Sequence, residues 1–323
     1  MSNGFRDELL AAMTEIETVD CHSHTCLRRE YYESVPHDIF ELAAQSYYGR
    51  DIAGTTGRGA EQIFADASTD EEKWEILKGI LAQTRNVSYW RHHIVVHQGL
   101  FGLEDDDLDD GNWQAANEKL KSSSKEPNWY EHVTNDVCNL NTQVRNIPWF
   151  EDWEPEFFTA TLRMEQALVL YNKDSLESFE NHMGRSFSDI QSLKQGLADL
   201  VEQYRQQGSV GIKLAHAYRR TLASDDVSEV DAARAFSRAL AGEDLSPTER
   251  KQFEDHIIFF LARIAGEMNQ VFQIHTGVQG NWGHVPDSDP LHLLPLIHAN
   301  KKTRFDLFHA GYPYSREMGM LGK

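Results

Sequence analysis

The stretch V-D-C-H-S-H-T-C, Val19 to Cys26, packs one aspartate, two histidines and two cysteines into eight residues. In an extended chain successive side chains alternate faces, so His22 and His24 point the same way and their two rings can grip one ion. Cys21 and Ser23 fall on the other face, while Asp20 shares the histidines' side and is placed to orient one of them. A zinc-knuckle reading of Cys21 and Cys26 needs further paired Cys or His at short spacing, and none follows. Both cysteines are therefore expected to be small buried packing groups.

Three more reactive side chains sit far downstream at the ends of apolar runs. Lys213 lies inside V-G-I-K-L-A, His275 ends V-F-Q-I-H, and His309 ends T-R-F-D-L-F-H. Alone, Lys213 reads as a snorkelling or ion-paired lysine, and His275 and His309 as hydrogen-bonded core histidines. Jointly placed at strand ends, four histidines and a lysine read as a metal centre, because neutral imidazole is the commonest ligand for zinc-like cations. The other histidines fall mostly in helical or loop sequence and are taken as structural, with His216 and His284 as outside candidates beside the motifs.

The elements that must position these groups are legible from periodicity. A helix over 7–13 leads into a strand at 16–20. Helices are predicted at 36–48, 70–84, 112–120 and 129–137, with a Gly/Thr-rich link at 54–59. Strands are expected around 138–147 and at 157–162. Then the alternation becomes regular: helix 189–206, strand 210–215, helices 228–240 and 246–269, strand 271–275, helix 290–300, strand 303–309. Ser246 followed by Pro247 and an acidic first turn marks one helix start, and Gly208 stops another. Strand, helix, strand, helix with buried-type strands predicts an α/β fold with a parallel sheet covered by helices. In a parallel barrel the C-terminal strand ends meet on one face, which carries the active site.

The chain has 323 residues, 51 acidic against 31 basic, for a net charge of -20. Such a surface repels nucleic-acid phosphates and anionic membranes, so neither is an expected partner. The acidic run L-E-D-D-D-L-D-D-G, Leu103 to Gly111, reads as a solvated loop. Three cysteines cannot form a disulfide framework, no apolar run follows a basic N-terminal region, and no stretch of about 18 apolar residues occurs. A cytoplasmic enzyme with a small-molecule substrate is the expectation, with a homo-oligomer left open.

V-D-C-H-S-H resembles the first-strand His-x-His signature of the amidohydrolase superfamily, metal-dependent (β/α)8 TIM-barrel enzymes. G-I-K-L-A-H-A-Y, V-F-Q-I-H-T-G and L-F-H-A-G-Y-P resemble the fourth-, fifth- and sixth-strand motifs of its amidohydrolase-related branch, which includes relatives of uronate isomerase. The resemblance implies one barrel domain over residues 1–323, with a helical insertion at about 30–135 after the first strand. It implies a divalent metal, zinc by preference with manganese or iron as alternatives, held by His22, His24 and His275. His309 would hold the attacking water or act as general acid/base. Lys213 would either contact substrate near a single metal, the favoured reading, or be carbamylated between two. These enzymes carry a metal-binding aspartate after an eighth strand; this chain ends soon after the sixth, so the last strands and that base are expected to be missing.

The implied chemistry is hydrolysis of a C–N or C–O bond in a small anionic substrate by a metal-activated water. Tyr218, Arg219 and Arg220, Trp282, and Tyr312 and Tyr314 follow the strand motifs and are candidate substrate contacts, the arginines for a carboxylate or phosphate. A uronate-isomerase-like proton shuttle or a metal-dependent decarboxylase is the alternative on the same barrel. A non-catalytic barrel joined to another enzyme is the third reading.

Overall fold

The computed structural model describes residues 3–278 and 283–322. Two compact units divide the chain: Met1–Val19 with Cys26–Asn141, and Asp20–Thr25 with Thr142–Lys323.

The first unit is helical. Its core gathers Phe40, Tyr48, Ile52, Trp74, Leu77, Trp90, Ile94 and Trp113. The helix Asp70–Thr84 has the bounds its periodicity predicts, and a capping box between Thr69 and Glu72 fixes its start. Ser88–Leu100 forms a helix that periodicity does not reveal. Its buried face is Trp90, His93, Ile94 and His97, so two histidines occupy core positions that a polarity pattern counts as surface. The Gly/Thr-rich segment is not a link: Gly54 lies inside the helix Tyr48–Thr56, and Gly57 ends it in the left-handed conformation. The acidic run is anchored as well as solvated. Asp107 and Asp110 accept the indole N–H bonds of Trp90 and Trp74, both at 2.8 Å, and Leu108 between them is fully buried.

The second unit carries the sheet, in the order β1 (Thr18–Ser23), β2 (Leu140–Ile147), β3 (Phe158–Arg163), β4 (Gly211–Leu214), β5 (Val271–His275) and β6 (Arg304–Phe308). β2 to β6 pair in parallel. Paired helices, Lys173–Met183 with Ile190–Gln206 and Glu229–Leu240 with Pro247–Glu267, make the crossovers before β4 and β5. Every residue of β4 is buried, as expected of a strand covered on both faces, and Lys213 is buried with its apolar neighbours.

Strand order alone would hold β1 and β6 far apart, because five spacings of about 4.8 Å separate the edges of a flat six-stranded sheet. The His22 ring nevertheless lies 4.5 Å from Phe308 and 5.7 Å from His309, centroid to centroid. The sheet therefore curls, bringing the C-terminal ends of its first and last strands together. Among the described residues no helix is long and apolar enough to cross a membrane.

Candidate active site

The curled sheet gathers the strand-end groups into one cluster. His22, half-buried near the end of β1, and His24, exposed just beyond it, set their Nε2 atoms 3.2 Å apart. The His275 ring stands 4.4 Å from His309. Among the described residues the buried His275 Nε2 has no hydrogen-bond partner. Lys213 is 3% exposed; its Nζ likewise lacks a partner among the described residues and sits 3.2 Å from the centre of the Phe308 ring.

The turn after β6 explains how His309 reaches the others. His309, Ala310 and Gly311 all take positive φ, at 68°, 52° and 62°. Two consecutive non-glycine residues there carry strain of order 1–3 kcal/mol each, a cost tolerated where function requires it. The opposite wall is Gly277, at φ 73°, where a Cβ would stand 2.5 Å from the Tyr312 carbonyl oxygen. The Val278 N–H donates to that same oxygen at 2.8 Å, tying the two loops together.

Electrostatics keep the imidazoles of the cluster neutral. Burial lowers His22 to about 4 and His275 to about 3, with the Lys213 charge and neighbouring imidazoles adding to the effect. His309 is lowered for the same reasons. Lys213 is pushed down to about 7 by burial, against the pull of the Asp306 and Glu165 carboxylates. At neutral pH the three imidazoles thus keep free lone pairs, and the amine sits near its midpoint.

Among the described residues no three His, Cys or carboxylate side chains form a preassembled metal cage. The donors nevertheless suit a divalent ion. Two nitrogens at about 2.05 Å from a tetrahedral zinc lie about 3.3 Å apart, close to the 3.2 Å between His22 and His24. The buried Nε2 of His275 is a donor atom without a partner among the described residues, which a bound cation would satisfy.

Other expected residues are placed differently. The Asp20 carboxylate accepts the backbone N–H of His22 at 3.2 Å rather than holding an imidazole. Cys21 is exposed, not a packing group, and Cys26 is only partly buried. Tyr218 packs its ring against His275 in a tilted arrangement, centroids 4.6 Å apart, Arg219 is exposed, and Tyr312 is 67% exposed. Arg220 is committed elsewhere: it pairs with Glu254 at 2.8 Å and with the buried Asp255 at 2.5 Å, so it is structural rather than a substrate contact. Trp282 lies outside the described residues. His284 pairs with Asp287, whereas His216 is buried with neither ring nitrogen partnered among the described residues. Sequence reasoning missed Asn146, Thr161, Gln273 and Asp306, which link to one another and to His22. Gln273 and Asp306 were signalled as polar residues between apolar neighbours of a strand; Asn146 and Thr161 sit in strands with several polar residues and carried no such signal.

The class these features define is an α/β protein with a curled parallel sheet and an imidazole–amine cluster at its strand ends. No family model matches the chain. It is 31% identical over 122 residues to Protein fluG of Emericella nidulans, a match covering 35% of this chain and 14% of that protein. It is 29% identical over 119 residues to a uronate isomerase of Shouchella clausii, covering 37% and 25%. These matches span a quarter or less of the curated relatives' lengths. Among solved structures it resembles a uronate isomerase of Thermotoga maritima (TM-score 0.75, 16% identity, 93% of this chain and 72% of that one). A glucuronate isomerase of Caulobacter crescentus fits equally well (0.75, 17%, 94% and 71%). A Lactobacillus casei protein described as a metal-dependent hydrolase fits less closely (0.58, 17%, 97% and 72%). At these identities the structural likeness speaks for the fold.

Proposed function

We propose that this chain carries the metal-binding strands of a (β/α)8-barrel enzyme that moves a proton on a small hydroxy acid, in the manner of a uronate isomerase. The observation that carries the proposal is the convergence of His22, His24, His275 and His309 around a buried, unpartnered Lys213 amine. The recurrence of uronate isomerases among the relatives and structural neighbours supports the reaction class.

His22, His24 and His275 would hold a divalent ion, zinc by chemistry, with manganese or iron as alternatives. When bound, the ion polarises a substrate oxygen as a Lewis acid and acidifies the adjoining C–H or O–H. Lys213 Nζ, close to half-protonated at neutral pH, is suited to take up and return a proton. The His309 ring, held by its left-handed turn, is suited to donate a hydrogen bond to the oxygen that gains charge. Tyr218, packed against His275, and Arg219, the exposed residue after it, would meet the substrate's polar end.

Hydrolysis by an activated water is the second reading, supported by the neighbour described as a metal-dependent hydrolase. The two separate on substrate: aldohexuronates converted to ketohexuronates with uptake of solvent deuterium, against cleavage of amides, esters or lactones. Metal analysis tests both. The full chain equilibrated with zinc or manganese should retain close to one ion, and the double variant His22→Ala/His24→Ala should retain almost none. Only trace metal in the well-folded protein would sink both enzyme readings and leave the non-catalytic barrel.

A further inference from the structure

We propose that a chain of hydrogen bonds, buried at its centre and running from His22 through Asn146, Thr161 and Gln273 to Asp306, sets which nitrogen of His22 carries the proton and thereby aims a bare Nε2 at the metal position. The metal part of this inference rests on the reading above; the proton placement does not.

The argument is a proton count. Thr161 Oγ1, fully buried on β3, lies 2.7 Å from Asn146 Oδ1 and 2.9 Å from Gln273 Oε1. A hydroxyl has one proton to give, and two carbonyl oxygens can only accept, so one contact would join two oxygens with no hydrogen between them. An amide keeps nearly the same shape after a half-turn that exchanges its O and N, so the count decides its orientation. Gln273 cannot be the one turned, because its Nε2 donates to Asp306 Oδ2 at 3.0 Å and turning it would set oxygen against carboxylate. The half-turn therefore belongs to Asn146. Its NH2 then donates to Thr161 Oγ1, whose own proton goes to Gln273, and its carbonyl oxygen faces His22 Nδ1 across the 2.5 Å contact. A ring nitrogen against a carbonyl oxygen must carry the hydrogen. His22 is thus fixed as the Nδ1–H tautomer with Nε2 unprotonated, the only neutral form that can bind a cation through the atom facing His24.

All four donors point the same way, and the chain ends on a carboxylate, which polarises each link and makes the His22 lone pair more basic. The sheet lays the path. Asn146 pairs in register with Thr161, and Gln273 with Asp306. Between them β4 is crossed at Gly211, the register partner of Thr161, where a Cβ would come within 3.3 Å of the Thr161 methyl. Asn146, Thr161, Gln273 and Asp306 are positioning residues, acting on the metal only through His22.

The test reads the tautomer directly. In the metal-free full chain with 15N-labelled histidine, the His22 signals, assigned by their loss in His22→Gln, should show a protonated Nδ1 and a bare Nε2. Thr161→Val keeps the shape of the side chain but removes the hydroxyl. It should give a mixture of tautomers and weaken zinc binding, by chelator competition, about 10- to 100-fold. Asn146→Asp, which can only accept, should keep Nδ1–H and retain tight binding. A wild-type His22 protonated on Nε2 overturns the proposal, and that measurement needs no variant to fold. So does a folded Thr161→Val with unchanged tautomer and unchanged affinity. Nδ1–H in a wild-type chain that takes up no zinc upholds the hydrogen-bond chain and overturns the metal reading instead.

Discussion

Acid should loosen the helical unit, and His97 sets the scale. It lies on the buried face of Ser88–Leu100, 1% exposed, with its Nδ1 unpartnered among the described residues. Burial, reinforced by the nearby His93, lowers it from 6.5 to about 4. In the unfolded chain the same ring titrates near 6.5. Above that value both states are neutral and the full stability is present. As the pH falls from 6.5 towards 4, the unfolded chain takes up a proton that the folded one refuses, so stability falls through that window and levels off below it. Linkage gives a loss, relative to pH 7, of about 2 kcal/mol at pH 5 and about 3 kcal/mol at pH 4 from this one side chain. Urea unfolding followed by helical circular dichroism and by the fluorescence of Trp90, which packs beside His93, measures it at pH 7, 6, 5 and 4. His97→Leu removes the titration and should flatten the profile by that amount while leaving the zinc content of the full chain unchanged. His93, hydrogen-bonded through Nε2 to Ser46 Oγ at 2.8 Å and also lowered to about 4, supplies the remaining acid sensitivity. Wild-type stability varying by less than about 0.5 kcal/mol between pH 7 and 5 would refute the reasoning. So would a His97 ring observed by NMR to titrate near 6.5.

Two further outcomes follow from the sheet unit. Arg220→Met removes one cationic partner of the buried Asp255 carboxylate, leaving Lys251 and the Asp225 N–H beside it, and should cost about 1–3 kcal/mol of stability. Equal thermal midpoints for wild type and variant would show that the ion pair is not holding the loop after β4. Gly277→Ala drives a Cβ into the Tyr312 carbonyl at a positive φ, so it should shift the loop after β5 and reduce metal retention through a displaced His275, two residues before it. Unchanged metal content together with an unchanged melting temperature would contradict that tight approach.

The opening motif shows where sequence reasoning reaches and where it stops. Alternation along an extended strand is a local property, so the pairing of His22 with His24 was legible, as were Lys213, His275 and His309 as odd residues in or after apolar strands. The capping box at Thr69 and the start at Ser246 were equally local, because each is satisfied within one turn of chain. Burial is not local. Whether a histidine is a surface residue or a core residue depends on what packs over it, which hid the helix carrying His93 and His97. Partner choice is not local either: Arg220 looks like a substrate clamp until Asp255 arrives from a different helix. The sequence by itself determined the chemistry available, five nitrogen-bearing side chains at the ends of strands. Only the tertiary structure decided that they meet, because the curl of the sheet brings its first strand to its sixth. It also decided how His22 is held, since the oxygens and protons that must balance around Thr161 come from four strands spread over some 160 residues of chain.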